Sequence, residues 1–306
     1  MKKLLLCLSF LVLSFPLQAG TSLIDQLDQL DSESIRLGSI SAAVVEIESG
    51  EVLYLKNGGS VRPVASITKL MTAMVVLDAD QPLDEKLTIT RADRDLLKNT
   101  YSRVRFGSRL SRRELLLIAL MSSENRAASA LGRHYPGGKE GFVEAMNAKA
   151  ASLGMLRTRF VDATGLSPGN VSTAGDLVKM VRAASGYPMI SEFTTQADHV
   201  ARFENPSYSL SYVNSNVLVR RGSWDIALSK TGYINEAGRC LVMLTEVDGR
   251  QVAMVMLDSY GKWTPIGDAG RIKRWINTGE SGTIAGAALR YEQSKSGQDM
   301  QTLAGG

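Results

Sequence analysis

The chain has 306 residues, 44% hydrophobic and 22% charged, with 28 Gly and only 8 Pro. That balance excludes a disordered or fibrous protein and allows a large buried core. Its net charge of +4 comes from dispersed basic residues, which excludes a nucleic-acid-binding surface.

The chain opens on MKKLLLCLSFLVLSFPLQAG: two lysines, an apolar run from Leu4 to Leu17, and small residues Ala19 and Gly20 where a peptidase can cut. This pattern reads as a secretory signal over residues 1–19, ahead of a folded domain over 20–278 and a flexible tail over 279–306. The apolar run is short for a spanning helix and is broken by Ser9, Ser14 and Pro16, so no integral membrane anchor is expected once the signal is removed. Cys7 leaves with the signal, and Cys240 alone cannot form an internal disulfide, so core packing must carry the stability. Cys240 itself lies in the apolar run CLVML and reads as a buried strand residue.

A polar helical leader is expected over Ser22–Arg36, then two strands in SISAAVVEIESGEVLYLKN that turn at Ser49-Gly50. In SITKLMTAMVVLDA the residues Ile67, Leu70, Met71, Met74, Val75 and Leu77 follow a helical period, which predicts a mostly buried helix beginning at Ser66. Ser111 and Glu114 form a capping-box pattern before RELLLIALM. Beside them, Arg109, Arg112 and Arg113 read as a solvated helix start with mild attraction for an anionic polymer. Further helices are expected over Glu124–His134, Lys139–Leu153 and Ala174–Ser185. Strands follow at Ile226–Ile234, Arg239–Val247 and Gln251–Asp258, with a tight turn at Asp248-Gly249, and a helix near Lys262–Trp275 closes the domain. Strands from both chain ends around a helical middle predict a mixed α/β fold, an antiparallel sheet with helices on both faces and a helical lobe.

There is no Gly-Xaa-Ser-Xaa-Gly elbow, His-Glu-Xaa-Xaa-His, cysteine pair or phosphate loop. His134 and His199 are the only histidines, and both read as structural because no nucleophile motif accompanies them. What remains is Ser66-Ile67-Thr68-Lys69, Ser123-Glu124-Asn125 and Lys230-Thr231-Gly232. Singly, each is ordinary: a helix-start serine is usually a cap and a lysine three residues later a surface charge. Together, on a helix, a helix junction and a strand, they assemble a chemistry. Residues three apart share a helix face, so Lys69 can reach the Ser66 hydroxyl. An alcohol needs a base, and lysine serves only when neutral, which requires desolvation or a neighbouring charge such as Lys230. Ser123 suits proton relay to a leaving amine, and the Asn125 amide suits holding substrate or Lys69. Lys230 and Thr231 suit a substrate carboxylate, and Gly232 leaves room for a peptide to add along the strand edge. The amides of Ser66 and Tyr233 are the candidate oxyanion donors.

With these three motifs the sequence resembles the active-site serine penicillin-binding proteins, specifically the low-molecular-mass group and most closely its D-alanyl-D-alanine endopeptidases. The resemblance runs from about Ser39 to Asn277 and includes ELLLIALMSSENRAASAL, FVDATGLSPGNVSTAGDL, YVNSNVLV and KTGYINEAGRCLVM in the family's order. It implies a β-lactamase/transpeptidase-like fold with a five-stranded antiparallel sheet, and no metal or organic cofactor. It also implies cleavage after D-alanine in peptidoglycan peptide stems and cross-links, with β-lactam antibiotics as covalent inhibitors at Ser66. Larger carboxypeptidases of the family add a β-rich domain and an amphipathic anchor, whereas a weakly patterned tail follows Thr278 here, so a soluble periplasmic D,D-endopeptidase is expected. Three alternatives stand beside it. A D-alanyl-D-alanine carboxypeptidase would differ only in the leaving amine. A class A β-lactamase would need a Glu-Xaa-Xaa-Leu-Asn that FVDATGLSPGN lacks, and a noncatalytic peptidoglycan-binding protein is opposed by intact motifs. Glu124 stands where many relatives have Gly, with no role assigned by the sequence.

Overall fold

The computed structural model describes residues 35–304, so the expected signal peptide and nearly all of the expected leader helix lie outside the described residues. The strands are β1 (Ser39–Glu46), β2 (Val52–Lys56), β3 (Arg62–Pro63), β4 (Lys86–Thr88), β5 (Arg109–Ser111), β6 (Val171–Ser172), β7 (Asp198–Phe203), β8 (Tyr208–Val213), β9 (Ile226–Ile234), β10 (Gly238–Val247) and β11 (Arg250–Ser259). The helices are α1 (Thr68–Asp78), α2 (Arg112–Met121), α3 (Asn125–Arg133), α4 (Gly138–Ser152), α5 (Ala174–Ser185), α6 (Pro188–Thr195), α7 (Val217–Arg221), α8 (Thr264–Thr278) and α9 (Gly286–Ala304).

Five strands form an antiparallel sheet in the order β2-β1-β11-β10-β9, completed from both chain ends as the sequence pattern predicts. Both faces of this sheet are covered, which is why β1 and β11 read as continuous apolar runs rather than alternating ones. Alternate side chains still part company. Ala43, Val45, Val242, Leu244, Val255 and Leu257 join the helical lobe, where α1 is buried from Thr68 to Val76. Ala42, Val44, Leu241, Met243, Met254 and Met256 pack instead on Ala269 and Ile272 of α8. Each buried Val, Leu, Ile or Met among them contributes about 2 kcal/mol. The Asp248-Gly249 turn has both residues at positive φ, the backbone of a two-residue hairpin.

The start of β1 is tied to α8 by one carboxylate. Asp268, fully buried, accepts from the amides of Gly38 and Ser39 at 3.0 and 2.8 Å, from the Ser39 hydroxyl at 2.5 Å, and from Arg271 at 2.8 Å.

Several expectations are corrected. Arg112 is not solvated: it is buried against Glu85 at 2.8 Å and donates to the Pro82 carbonyl, while Arg113 alone lies outward. The capping box is half made, because Ser111 Oγ accepts from the Glu114 amide but the Glu114 carboxylate is taken by His199 at 2.8 Å. The β7–β8 hairpin was missed, although Ala201 and Phe203 alternate with exposed residues ahead of Asn205-Pro206. The tail expected to be flexible contains α9, docked by buried Ala288, by Tyr291 donating to Asp258 at 2.5 Å and by Glu292 paired with Lys56. Its polar composition hid three specific contacts that no hydrophobic period reveals.

Asp268→Ala removes the shared acceptor of four buried donors. It is expected to lower the unfolding free energy by about 3 kcal/mol, read as a fall in urea midpoint at constant slope. A loss below about 1 kcal/mol would show that the β1–α8 junction is held by apolar packing alone.

Candidate active site

Ser66 sits in a single 3-10 turn, Ala65–Ile67, immediately before α1. It does not cap the helix. Thr68 Oγ1 donates to the Ala65 carbonyl, and Ala65 itself is held at φ 47°, a strained conformation for a residue with a Cβ. The Ser66 hydroxyl is thereby left for another partner, Lys69 Nζ at 2.8 Å.

Lys69 is buried and donates to three acceptors from different parts of the chain: Ser66 Oγ, Asn125 Oδ1 at 2.8 Å and the Thr164 carbonyl at 2.6 Å. Burial pulls its pKa down to about 7, against the carboxylates of Asp162 and Glu124, which raise it. Of the two causes expected, desolvation rather than the charge of Lys230 depresses Lys69. Lys230 is itself held well below its ordinary range, first by burial and then by the charge of Lys69. A neutral Lys69 keeps two N–H bonds for Asn125 and Thr164 and turns its lone pair to the Ser66 hydroxyl.

The loop 162–167 that supplies the Thr164 carbonyl is wound around Asp162, which accepts from the amides of Thr164, Gly165 and Ser167 and from the Thr164 hydroxyl. Gly165 is required there: at φ 81°, an added Cβ would lie 2.0 Å from the Ala65 carbonyl.

Asn125 is oriented from behind. Asp95 accepts from the amides of Leu97, Lys98 and Thr100 and from the Thr100 hydroxyl. Burial opposes its charge, but those donors hold its carboxyl below the usual range. An ionised Asp95 only accepts, so Thr100 must donate to it, leaving the Thr100 oxygen to accept from Asn125 Nδ2 at 3.2 Å. The Asn125 oxygen is thus obliged to face Lys69. Neither Asp95 nor Thr100 was marked by sequence reasoning, because both lie outside the three motifs.

At the α2–α3 junction Ser123 is held at φ 64°, and its hydroxyl accepts from Lys230 Nζ at 3.0 Å. Glu124 caps α3 through the Arg126 amide and accepts from Ser102 Oγ at 2.8 Å, tying the 95–102 loop to the site. Thr231 Oγ1 donates to Ser215 Oγ at 2.7 Å, another residue the sequence reading passed over.

Gly232 is needed for a reason other than the one expected. A Cβ there would meet the Ser66 amide at 3.0 Å and the Val64 carbonyl at 3.1 Å, so the missing side chain admits the Ser66 turn rather than substrate. That approach brings the Ser66 amide beside β9, the edge strand that carries the Tyr233 amide. Tyr233 is half-exposed, with Arg239 stacked 3.8 Å over its ring.

A cavity of about 300 Å³ opens on Ser66, Ser123, Asn125, Thr231 and Gly232, with Arg239 and Lys262 farther along, and no carboxylate lines it among the described residues. His134 and His199 lie elsewhere, and Cys240 is buried, its thiol held up at about 12 by burial. No group of metal-binding side chains occurs among the described residues.

Residues 29–261 match the peptidase family described as D-alanyl-D-alanine carboxypeptidase. The chain belongs to this family. It is 51% identical to a D-alanyl-D-alanine endopeptidase of Escherichia coli over 86% of this chain and 84% of that protein. A D-alanyl-D-alanine endopeptidase of Pseudomonas aeruginosa is also 51% identical, over 83% and 82%. The crystal structure of a Streptomyces DD-transpeptidase superposes with a TM-score of 0.72 at 26% identity, covering 85% of this chain and 98% of that one. The fold is therefore the transpeptidase fold of the penicillin-binding proteins.

Two outcomes test this geometry. If neutral Lys69 takes the Ser66 proton, the rate of Ser66 acylation by a penicillin should fall about tenfold per pH unit below about 7 and level off above it; a flat profile would remove Lys69 as the base. Thr100→Val should lower the same rate by about tenfold by freeing the Asn125 amide to turn, and Thr100→Ser should restore it. Equal loss in both variants would contradict the orientation argument.

Proposed function

We propose that the chain is an exported serine D,D-endopeptidase that cleaves D-alanyl cross-links of peptidoglycan in the periplasm through an acyl-enzyme on Ser66. The observation that carries it is the contact of Ser66 Oγ with a buried lysine whose pKa lies about 7, facing an open cavity along an edge strand. The 51% identity to two proteins named D-alanyl-D-alanine endopeptidase supports the leaving group. The signal-like leader supports export, and no described helix is long and apolar enough to cross a membrane.

In this reading the peptide aligns with β9, its D-alanyl carbonyl oxygen toward the amides of Ser66 and Tyr233. Lys69 takes the hydroxyl proton as Ser66 Oγ bonds to the carbonyl carbon. The tetrahedral intermediate collapses by breaking the C–N bond, and the proton taken by Lys69 is passed through Ser123, whose oxygen is held by Lys230, to the departing amine, which leaves Lys69 neutral. Thr231, with Lys230 and Ser215 beside it, suits the carboxylate near the scissile bond. Water then attacks the ester with Lys69 again as base, releasing the D-alanyl acid and restoring Ser66.

A β-lactam follows the same first step, but its amine stays tethered and blocks the space where water must approach. No carboxylate lines the cavity among the described residues to activate a differently placed water, as a β-lactamase would require. Asp162, the nearest loop acid, is engaged by its own loop.

The test offers a cross-linked muropeptide dimer and a free pentapeptide to wild type and to Ser66→Ala. Wild type should split the dimer, Ser66→Ala neither substrate, and penicillin should leave a stable adduct on Ser66 by mass spectrometry. Release of terminal D-alanine alone would favour the carboxypeptidase, and rapid penicillin turnover the β-lactamase.

A further inference from the structure

The side chain of Asn125 separates two hollows. One is the Ser66 cavity; on the other side lies a second cavity of about 270 Å³, and both are bounded by Thr100, Asn125 and Leu166. They are two arms of one cleft. Ser66, Ser123, Thr231 and Gly232 all border the first arm, and of the residues assigned to bond breaking only Asn125 borders the second.

The second arm has a chemistry of its own. Its floor is apolar, with buried Phe142 of α4 and Val161, and its outer wall is Leu96 and Leu97, 83% and 66% exposed. The acids at its base are already engaged, Asp93 by Arg133 and Ser129 and Asp162 by its own loop. Arg94 and Lys139 stand on its lining, and among the described residues their side chains make one hydrogen bond each, to Asn99 and to the Ala92 carbonyl. Two leucines facing water are not left to collapse, because the loop bearing them is fastened at both ends, by Asp95 and by Glu124 through Ser102. Glu124 thereby gains a role: it holds the wall of this arm. An ordered apolar wall left open to solvent marks a binding surface.

A terminal D-alanyl-D-alanine unit needs only the first arm. A cross-link, by contrast, joins the D-alanyl carbonyl of one stem to a side-chain amine of another, so the second stem reaches the scissile bond through an alkyl chain and carries carboxylates. We propose that the second arm binds this branch, its methylene groups against Leu96, Leu97 and Phe142 and a carboxylate toward Arg94 and Lys139. The assignment rests on the endopeptidase reading and deepens it.

The experiment compares wild type, the double variant Leu96→Asp with Leu97→Asp, and Val143→Trp, which fills the arm from α4. The double variant is at exposed positions, so its fold should survive even if Val143→Trp fails to fold. Each protein is given a defined cross-linked muropeptide dimer and, separately, a free pentapeptide and a small penicillin that occupies only the first arm. The dimer's kcat/KM should fall about tenfold, chiefly through KM, while penicillin acylation changes less than about twofold. Unchanged dimer cleavage in the variants, or a parallel fall in acylation, overturns the second arm alone. A wild type that spares the dimer while trimming a pentapeptide overturns the endopeptidase reading and the arm with it.

Discussion

The site depends on one buried amine. An isolated ammonium in an apolar interior costs far more than folding can tolerate, so Lys69 must either be neutral or have its donors met. Both conditions are arranged. Ser66 Oγ, Asn125 Oδ1 and the Thr164 carbonyl take its three bonds, and burial brings its pKa to about 7, where charged and neutral forms are both accessible. Asp162 and Glu124 oppose the shift and keep the proton from being lost outright. The three acceptors come from the turn before α1, the start of α3 and the 162–167 loop, so the helical lobe can close only in the arrangement that also aims the lysine at Ser66.

Backbone conformation is the second ingredient. Ala65 and Ser123, on either side of the catalytic space, both adopt positive φ, and neither is glycine. Gly165 and Gly232 let two further backbone segments press against the Ser66 turn from opposite neighbours, the Ala65 carbonyl and the Ser66 amide. The turn is therefore clamped by main chain as well as by the Thr68 side chain. Such clamping suits oxyanion donors, which must stand in place before charge develops.

How much of this was legible follows from where the information resides. Ser66 and Lys69 are three apart, and helical spacing alone placed them together. The centre of the sheet could be read because β1, β10 and β11 carry long apolar runs. The Thr164 carbonyl could not be read, since every residue carries one. The orientation of Asn125 was equally hidden: it follows from Asp95 being ionised and Thr100 having one proton to give, a relation among residues that no motif joins. For Gly232 the need for a close approach was legible, but its neighbour inside the fold, the Ser66 turn, was not. For Lys69 the sequence left burial and the charge of Lys230 both open, and only the fold shows that burial is the larger effect.

A carboxypeptidase and an endopeptidase make the same ester from the same D-alanyl carbonyl, so nothing in the Ser66–Lys69–Asn125 arrangement can distinguish them. Discrimination must come from groups that touch the departing half of the substrate, and binding energy gained there acts only if the cleft extends beyond the reacting atoms. In this chain the wall of the cleft away from Ser66 is built by the 95–102 loop. It is fixed by Asp95 at one end and by Glu124 at the other, and Glu124 is also the middle residue of Ser123-Glu124-Asn125. A single side chain within a catalytic motif thus couples the chemistry to the shape of the cleft. That coupling gives a physical reason for a carboxylate at this position.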